Sequence, residues 1–313
     1  MAGKQINPKL IQALTNQDIS TIPSSPMFKH LGGTYVKSIV DHIKKIEPLF
    51  EKNEVMMTCQ SCNQSGKYNI GMVFIDASEN DKPKQQYSGY FRCKHCNAAG
   101  QWEDSIELYM LSIEALLTPE QENSLVQFGQ IQLFDGTLPK YATDGEEHLL
   151  QLISASPSNA LLWNKLGNLY LAGARPELAM VAFEKSIAID PNQLESHVSI
   201  GKILLQIKDY QHAIHHFHQM MLTAEQYEHL DPHSLRELVA FGICECFIAS
   251  TESKQNYSPI PTREQVMAVN REINLETPEL LQGIELSSED ITTFYPLAEA
   301  FMGKRAQELT STK

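Results

Sequence analysis

The sequence predicts a mainly α-helical protein with a small β module inserted ahead of a helical array. Three observations carry that expectation. Apolar residues recur at helical spacing over much of the 313 residues, most densely between about 144 and 248. Residues 56–102 break the pattern with glycines, cysteines and short β-type runs. Residues 160–193 and 194–227 repeat small and aromatic side chains at a 34-residue offset.

Composition limits the functions open to such a chain. Apolar residues make up 42% and charged residues 20%, enough for packed cores rather than wholesale disorder. The net charge of −13 disfavours a broad grip on nucleic acid, which needs a Lys/Arg surplus on some face. No run reaches the 18 or so apolar residues of a membrane span, and Gln, Asn, Pro and Lys interrupt the N-terminal stretch where a secretory leader would be apolar. A cytoplasmic location follows as the expectation. Six cysteines in a reducing compartment read as thiols or metal ligands, not as a disulfide framework.

The elements are expected in this order. Residues 1–55 form an N-terminal helical segment, with helix over Pro8–Leu14, a proline loop at 22–26 and helix over 34–47. Within 56–102, strands are predicted at Tyr68–Ile75 and Tyr87–Arg92, joined by a solvated tip over Asp76–Gln86. Connecting helices are predicted within 103–139, over Glu103–Leu117 and Pro119–Phe134. Helix pairs fill 140–250, and residues 251–313 form a C-terminal helical segment.

The two cysteine pairs resemble each other beyond their sulfurs. Cys59-Gln-Ser-Cys62-Asn63 is followed by Gly66 and Tyr68, and Cys93-Lys-His-Cys96-Asn97 by Gly100 and Trp102. Two thiolates two residues apart reach one tetrahedral metal ion when the backbone folds into a tight knuckle. Asn after the second cysteine tolerates the left-handed conformation of such a turn, and Gly66 and Gly100 let the chain leave it. The layout resembles a zinc ribbon, with an unusually long hairpin between the knuckles. The resemblance implies Zn²⁺ held by Cys59, Cys62, Cys93 and Cys96. Four thiolates leave no open position, so the expected zinc is structural. Aromatic residues 68, 87, 90, 91 and 102 either stack on bases or complete a small core beside the metal; the core is favoured.

Residues 160–193 carry Trp163, Leu166, Gly167 and Tyr170, then Ala179 and Phe183, then Pro191. This is similar to the tetratricopeptide repeat (TPR), and Gly201, Ala213 and Phe217 extend the likeness to a degenerate second unit over 194–227. The fold class implied is a TPR-like α–α superhelix carrying an inserted β zinc ribbon. Such repeats bind proteins or peptides along the first helix of each unit, and the resemblance assigns that role to Asn164, Asn168 and Lys202. The histidines of 212–218 are expected on an outer, solvated face, and Cys244 and Cys246 as small buried residues. No nucleophile elbow, P-loop, dinucleotide fingerprint or HExxH motif is present. The expectation is therefore a non-catalytic adaptor or scaffold in a multiprotein assembly, without membrane insertion. A nucleic-acid-associated factor using the ribbon, and an enzyme with a site unrecognisable from sequence, stand as alternatives.

Overall fold

A computed structural model describes residues 5–76, 84–117, 125–269 and 286–310. It divides into two compact units, residues 1–185 and 186–313, with the division inside a helix. The expected hairpin tip lies largely outside the described residues, as do residues 270–285 of the C-terminal segment, whose described part is helical over Arg263–Ala268, Tyr295–Met302 and Lys304–Gln307.

The first unit opens with α1 (Pro8–Thr15). The Asn7 side chain caps it by accepting from the Lys9 amide, and proline occupies the first turn, where no amide is needed. α2 (Val36–His42) is shorter than predicted and tightens into a 3₁₀ turn at Ile43–Lys45 before Pro48. β1 (Glu54–Cys59) pairs antiparallel with β2 (Gln64–Asn69) on one side. On its other side it pairs with β5 (Trp102–Asp104).

A second sheet corrects the predicted hairpin. The run over Tyr68–Ile75 is two strands, not one: β2 ends at Asn69, and β3 (Val73–Asp76) pairs with β4 (Lys84–Tyr87) in a separate sheet. Residues 88–92, predicted as strand, are irregular. The cause is a close crossing of two glycines. Gly71 has φ 65°, and a Cβ there would sit 2.6 Å from the Gly89 nitrogen. A Cβ on Gly89 would meet the Ile70 carbonyl carbon at 2.4 Å. The Gly89 amide donates to the Ile70 carbonyl across this contact, 2.8 Å. Neither strand can continue through it, so the chain changes sheets.

The connecting region also departs from expectation. The first predicted helix begins three residues late, as α3 (Ile106–Leu117). The second is absent over 125–134. β6 (Val126–Phe128) runs there instead, parallel to β3, and Gly129 at φ 141° follows it. The open edge of β3 offers Val126–Phe128 backbone partners that a helix would forgo.

Helical hairpins then follow. α4 (Ala142–Ala155) precedes α5 (Ala160–Ala172) and α6 (Pro176–Ile189). A Cβ on Gly167 would lie 2.4 Å from the Phe183 ring, so only glycine admits that ring against α5. Trp163, Leu166, Tyr170 and Phe183 are all buried around this contact.

In the second unit, α7 (Leu194–Gln206) and α8 (Tyr210–Thr223) repeat the arrangement. A Cβ on Gly201 would stand 2.7 Å from the Phe217 ring. α9 (Pro232–Glu252), capped by Asp231, packs on α8, where a Cβ on Gly242 would meet the Met220 methyl at 2.4 Å. Cys244 and Cys246 are buried as expected.

The histidine prediction is corrected here. His212 and His215 are exposed, but His216 and His218 are buried. α8 has neighbours on more than its Ala213/Phe217 face. His216 Nδ1 lies 2.9 Å from His197 Nδ1 on α7, and His218 Nε2 lies 3.0 Å from the Ser258 carbonyl of the loop after α9. Burial depresses all three imidazoles, His197 and His218 to about 4 and His216 to about 2.

Candidate metal centre and repeat hairpin

Cys59 ends β1 and Gln64 begins β2, so the first knuckle is the turn of a hairpin. The Asn63 amide closes it by donating to the Cys59 carbonyl, 2.8 Å, with Asn63 at φ 56°. The second knuckle repeats the bond from the Asn97 amide to the Cys93 carbonyl, 2.9 Å, with Asn97 at φ 61°. Both asparagines thus take the left-handed conformation expected of them. Gly100, at φ 93°, supplies the expected exit. Gly66 does not; it sits inside β2 opposite Met57, where a Cβ would press on the Tyr68 ring at 3.2 Å.

Backbone pairing brings the two knuckles together. Cys59 stands opposite Trp102 in the β1–β5 register, and the Gln60 amide donates to the Gln101 carbonyl at 3.2 Å. The four sulfurs gather within 4.8 Å of one another. Cys59 and Cys96 are 3.8 Å apart, and Cys62 and Cys93 are 3.6 Å apart. A tetrahedral ion with metal–sulfur bonds of about 2.3 Å needs sulfur–sulfur edges of about 3.8 Å, so the cluster fits a single metal ion.

The electrostatics suit a cation as well. Burial opposes ionisation of Cys93, but amide N–H groups from Cys96 and His95 outweigh it and bring the thiol down to about 6. Desolvation within the cluster and the neighbouring thiols push Cys96 up to about 12. One thiolate forms readily and another is resisted; a cation at the centre removes the resistance. Cys59 and Cys93 are buried, Cys62 is half-buried and Cys96 is exposed, as is His95 between the second pair.

Tyr68, Phe91 and Trp102 pack beside the sulfurs, with ring centroids 4.8–5.6 Å apart. Tyr87 and Tyr90 are buried too. The five aromatics named above are thereby committed to core packing rather than to stacking on bases; Phe74, the sixth aromatic of 56–102, is half-buried on β3. The Tyr68 hydroxyl accepts from the Lys94 amide at 3.1 Å and reaches the Cys93 sulfur at 3.9 Å; burial pushes its pKa up to about 12.

A buried polar hub joins the second knuckle to the first repeat hairpin. Glu146 of α4 is fully buried. Its Oε1 accepts from the hydroxyls of Tyr90 and Tyr170 at 2.9 and 2.7 Å. Its Oε2 accepts from Asn7 Nδ2 at 2.9 Å and pairs with Arg92 Nη1 at 3.1 Å. Arg92 also donates from Nε to the Asn97 carbonyl at 3.0 Å, bracing the knuckle from behind. The Asn97 carboxamide donates to the carbonyls of Ile6 and Ser24 at 2.8 and 2.7 Å. The Tyr90 amide donates to the Gly173 carbonyl at the end of α5, 3.1 Å. Nothing in the local sequence marks Glu146 or Arg92: the four groups meeting at Glu146 come from residues 7, 90, 92 and 170. Tyr170 carries a signal as a repeat position, and Tyr90 only as one of the ribbon aromatics expected in the core.

The residues assigned to partner binding separate. Asn164 is fully buried, and its Oδ1 accepts from Asn168 Nδ2 at 3.3 Å. That corrects its expected placement on an open face: it supports Asn168 from beneath. Asn168 is exposed and, with Leu169 and Ala172, borders an apolar cavity of about 440 Å³ whose other walls include Leu149, Ile131 and Phe134. The irregular segment 130–139 that replaces the predicted helix supplies one of those walls. Lys202 is also exposed, with Nζ 4.6 Å from the centre of the Phe241 ring. No described helix is long and apolar enough to cross a membrane.

Comparison with known proteins agrees with part of this architecture. No curated protein matches the chain, and no solved structure does. One family model matches: residues 160–193, the stretch that forms α5, α6 and the turn beyond, are a tetratricopeptide repeat.

Proposed function

We propose that this protein is a non-catalytic adaptor or scaffold of the cytoplasm, in which zinc braces a helical platform that binds a protein or peptide partner. The tetratricopeptide match over 160–193 carries the proposal, because such hairpins serve recognition more often than turnover. Zinc is the ion that four thiolates at tetrahedral spacing favour in the absence of inorganic sulfide. Held by Cys59, Cys62, Cys93 and Cys96, it would cross-link the two knuckles, with no open position for a substrate. The Glu146 hub supports a bracing role, since the knuckle it holds by Arg92 is the one that supplies Cys93 and Cys96.

For the partner we favour an extended peptide carrying an apolar side chain. That side chain would enter the cavity beside Leu169, and the Asn168 carboxamide would bond the peptide backbone. Lys202 would act separately, toward a carboxylate. Pull-down with the intact protein tests the assignment. Asn168→Ala and Lys202→Ala should each reduce recovery of a partner, and Asn164→Ala should do so only by loosening Asn168. Undiminished recovery with all three variants would remove the repeat face from the proposal. Metal analysis of protein purified without chelators should find one zinc per chain, and none would remove the metal.

A further inference from the structure

α3 has two apolar faces, and among the described residues only one of them is covered. Leu108 and Ala115 point into the core of the β module with Ser112, whose hydroxyl is satisfied by the Leu108 carbonyl at 2.9 Å. On the opposite side Ile106 is 81% exposed, Tyr109 63%, Met110 57% and Leu117 76%. Ile113 lies between them, partly exposed. The positions 106, 109, 110, 113 and 117 follow the three-and-four spacing of a single helical stripe. A surface helix ordinarily carries polar residues there, and contiguous apolar stripes of this kind mark interaction sites.

Charge decides what covers it. From Trp102 to Leu117 the chain has Glu103, Asp104, Glu107 and Glu114 and no Lys or Arg. Asp104 faces Lys140 at 3.9 Å, while Glu103 and Glu107 are exposed, the one three residues before Ile106 and the other directly after it. Glu107 and Glu114 are two turns apart and line the same edge of α3. A second copy laid antiparallel on the stripe would set this acidic edge against itself, which is unfavourable. An anionic lipid surface is repelled for the same reason. A helix with basic residues flanking its apolar face is attracted.

We propose that the exposed stripe of α3 docks an amphipathic helix of a partner protein, about three turns long. Its apolar face covers Ile106, Tyr109, Met110 and Leu117, and its Lys or Arg residues meet Glu103 and Glu107. This surface is distinct from the repeat face around Asn168 and does not depend on that assignment.

Fluorescence anisotropy with the full chain tests it. The probe is a synthetic Leu/Lys peptide with leucines at helical spacing, compared with a Leu/Glu peptide of the same spacing and a Leu/Lys peptide of scrambled order. The ordered Leu/Lys peptide should bind best. Met110→Asp and Leu117→Ser, both at exposed positions, should each weaken it roughly tenfold. Glu107→Lys with Glu103→Lys should shift the preference toward the Leu/Glu peptide. Equal binding of ordered and scrambled Leu/Lys peptides would overturn the proposal, as would indifference to the charge reversal. It would equally be overturned if Met110→Asp abolished dimerisation seen by sedimentation, or binding to phosphatidylserine vesicles, while leaving peptide binding unchanged.

Discussion

The hairpins α5–α6 and α7–α8 follow one packing rule and bury opposite kinds of polar group. In each, a glycine on the first helix receives a phenylalanine ring from the second, Gly167 with Phe183 and Gly201 with Phe217. Around the first, the buried polar group is a carboxylate, Glu146, answered by Arg92, Asn7 and two tyrosine hydroxyls. Around the second it is a pair of imidazoles, His197 and His216, kept uncharged by burial. Repeat geometry therefore dictates where small and large residues go. It leaves open which polar groups fill the remaining space, and that choice sets how each hairpin responds to metal, mutation and acid.

The largest difference between the two should come from metal. Structural zinc sites contribute on the order of 10 kcal/mol where folding and binding are coupled. Chelation, or Cys93→Ser, should destabilise the first unit more than any single change elsewhere. The only tryptophans are Trp102 and Trp163, both in that unit, so their fluorescence during urea unfolding reports it selectively. An unchanged urea midpoint after chelation would mean that the knuckles hold without a metal.

Glu146→Ala comes next. It leaves Arg92 buried without its counter-charge and strands two tyrosine hydroxyls, a loss of about 3–5 kcal/mol on the same fluorescence assay. Glu146→Gln preserves the hydrogen-bond acceptor and should cost less. If the two variants are equally mild, the hub is not what ties the knuckle to the repeat.

The buried histidines make the second hairpin the acid-sensitive one. Below about pH 6.5 the unfolded chain takes up protons that folded His197, His216 and His218 refuse. Their contribution is complete above that pH and falls as pH drops toward 4, where His197 and His218 begin to titrate in the folded state. The expected loss is about 2 kcal/mol between pH 7 and pH 6, summed over three groups. Hydrogen exchange at amides of α7 and α8 should speed up over that range, and His216→Gln should flatten the dependence. Rates independent of pH after correction for intrinsic exchange would contradict buried neutral imidazoles.

The smallest effect tests the shared rule itself. Gly167→Ala and Gly201→Ala each force a methyl group against a phenylalanine ring, at a cost of about 1–3 kcal/mol. Gly167 should suffer more, because a Cβ there would come closer to the ring, 2.4 against 2.7 Å. Phe183→Leu should partly rescue Gly167→Ala. Failure of the rescue would mean that the glycine serves backbone freedom rather than ring packing.

Much of this architecture is legible in spacing alone. The knuckles are short-range objects: each needs two cysteines, one asparagine in the left-handed region and a few backbone bonds, all within about five residues of chain. The hairpin contacts are also short-range, because sixteen residues separate Gly167 from Phe183 and the same number separate Gly201 from Phe217. The ribbon strands depart from their local pattern where the backbones of Gly71 and Gly89 cross, a contact that no residue periodicity marks. Residues 125–134 depart from theirs because the strand there answers an edge, that of β3, which no local pattern encodes.

Periodicity and motif spacing are sufficient wherever a feature depends on neighbours along the chain. Burial of His216, the withdrawal of Asn164 from the surface and the assembly around Glu146 depend on which helices come to lie side by side. A buried charge is tolerated only when several separate segments deliver donors to it at once. That condition belongs to the folded chain and has no one-dimensional signature.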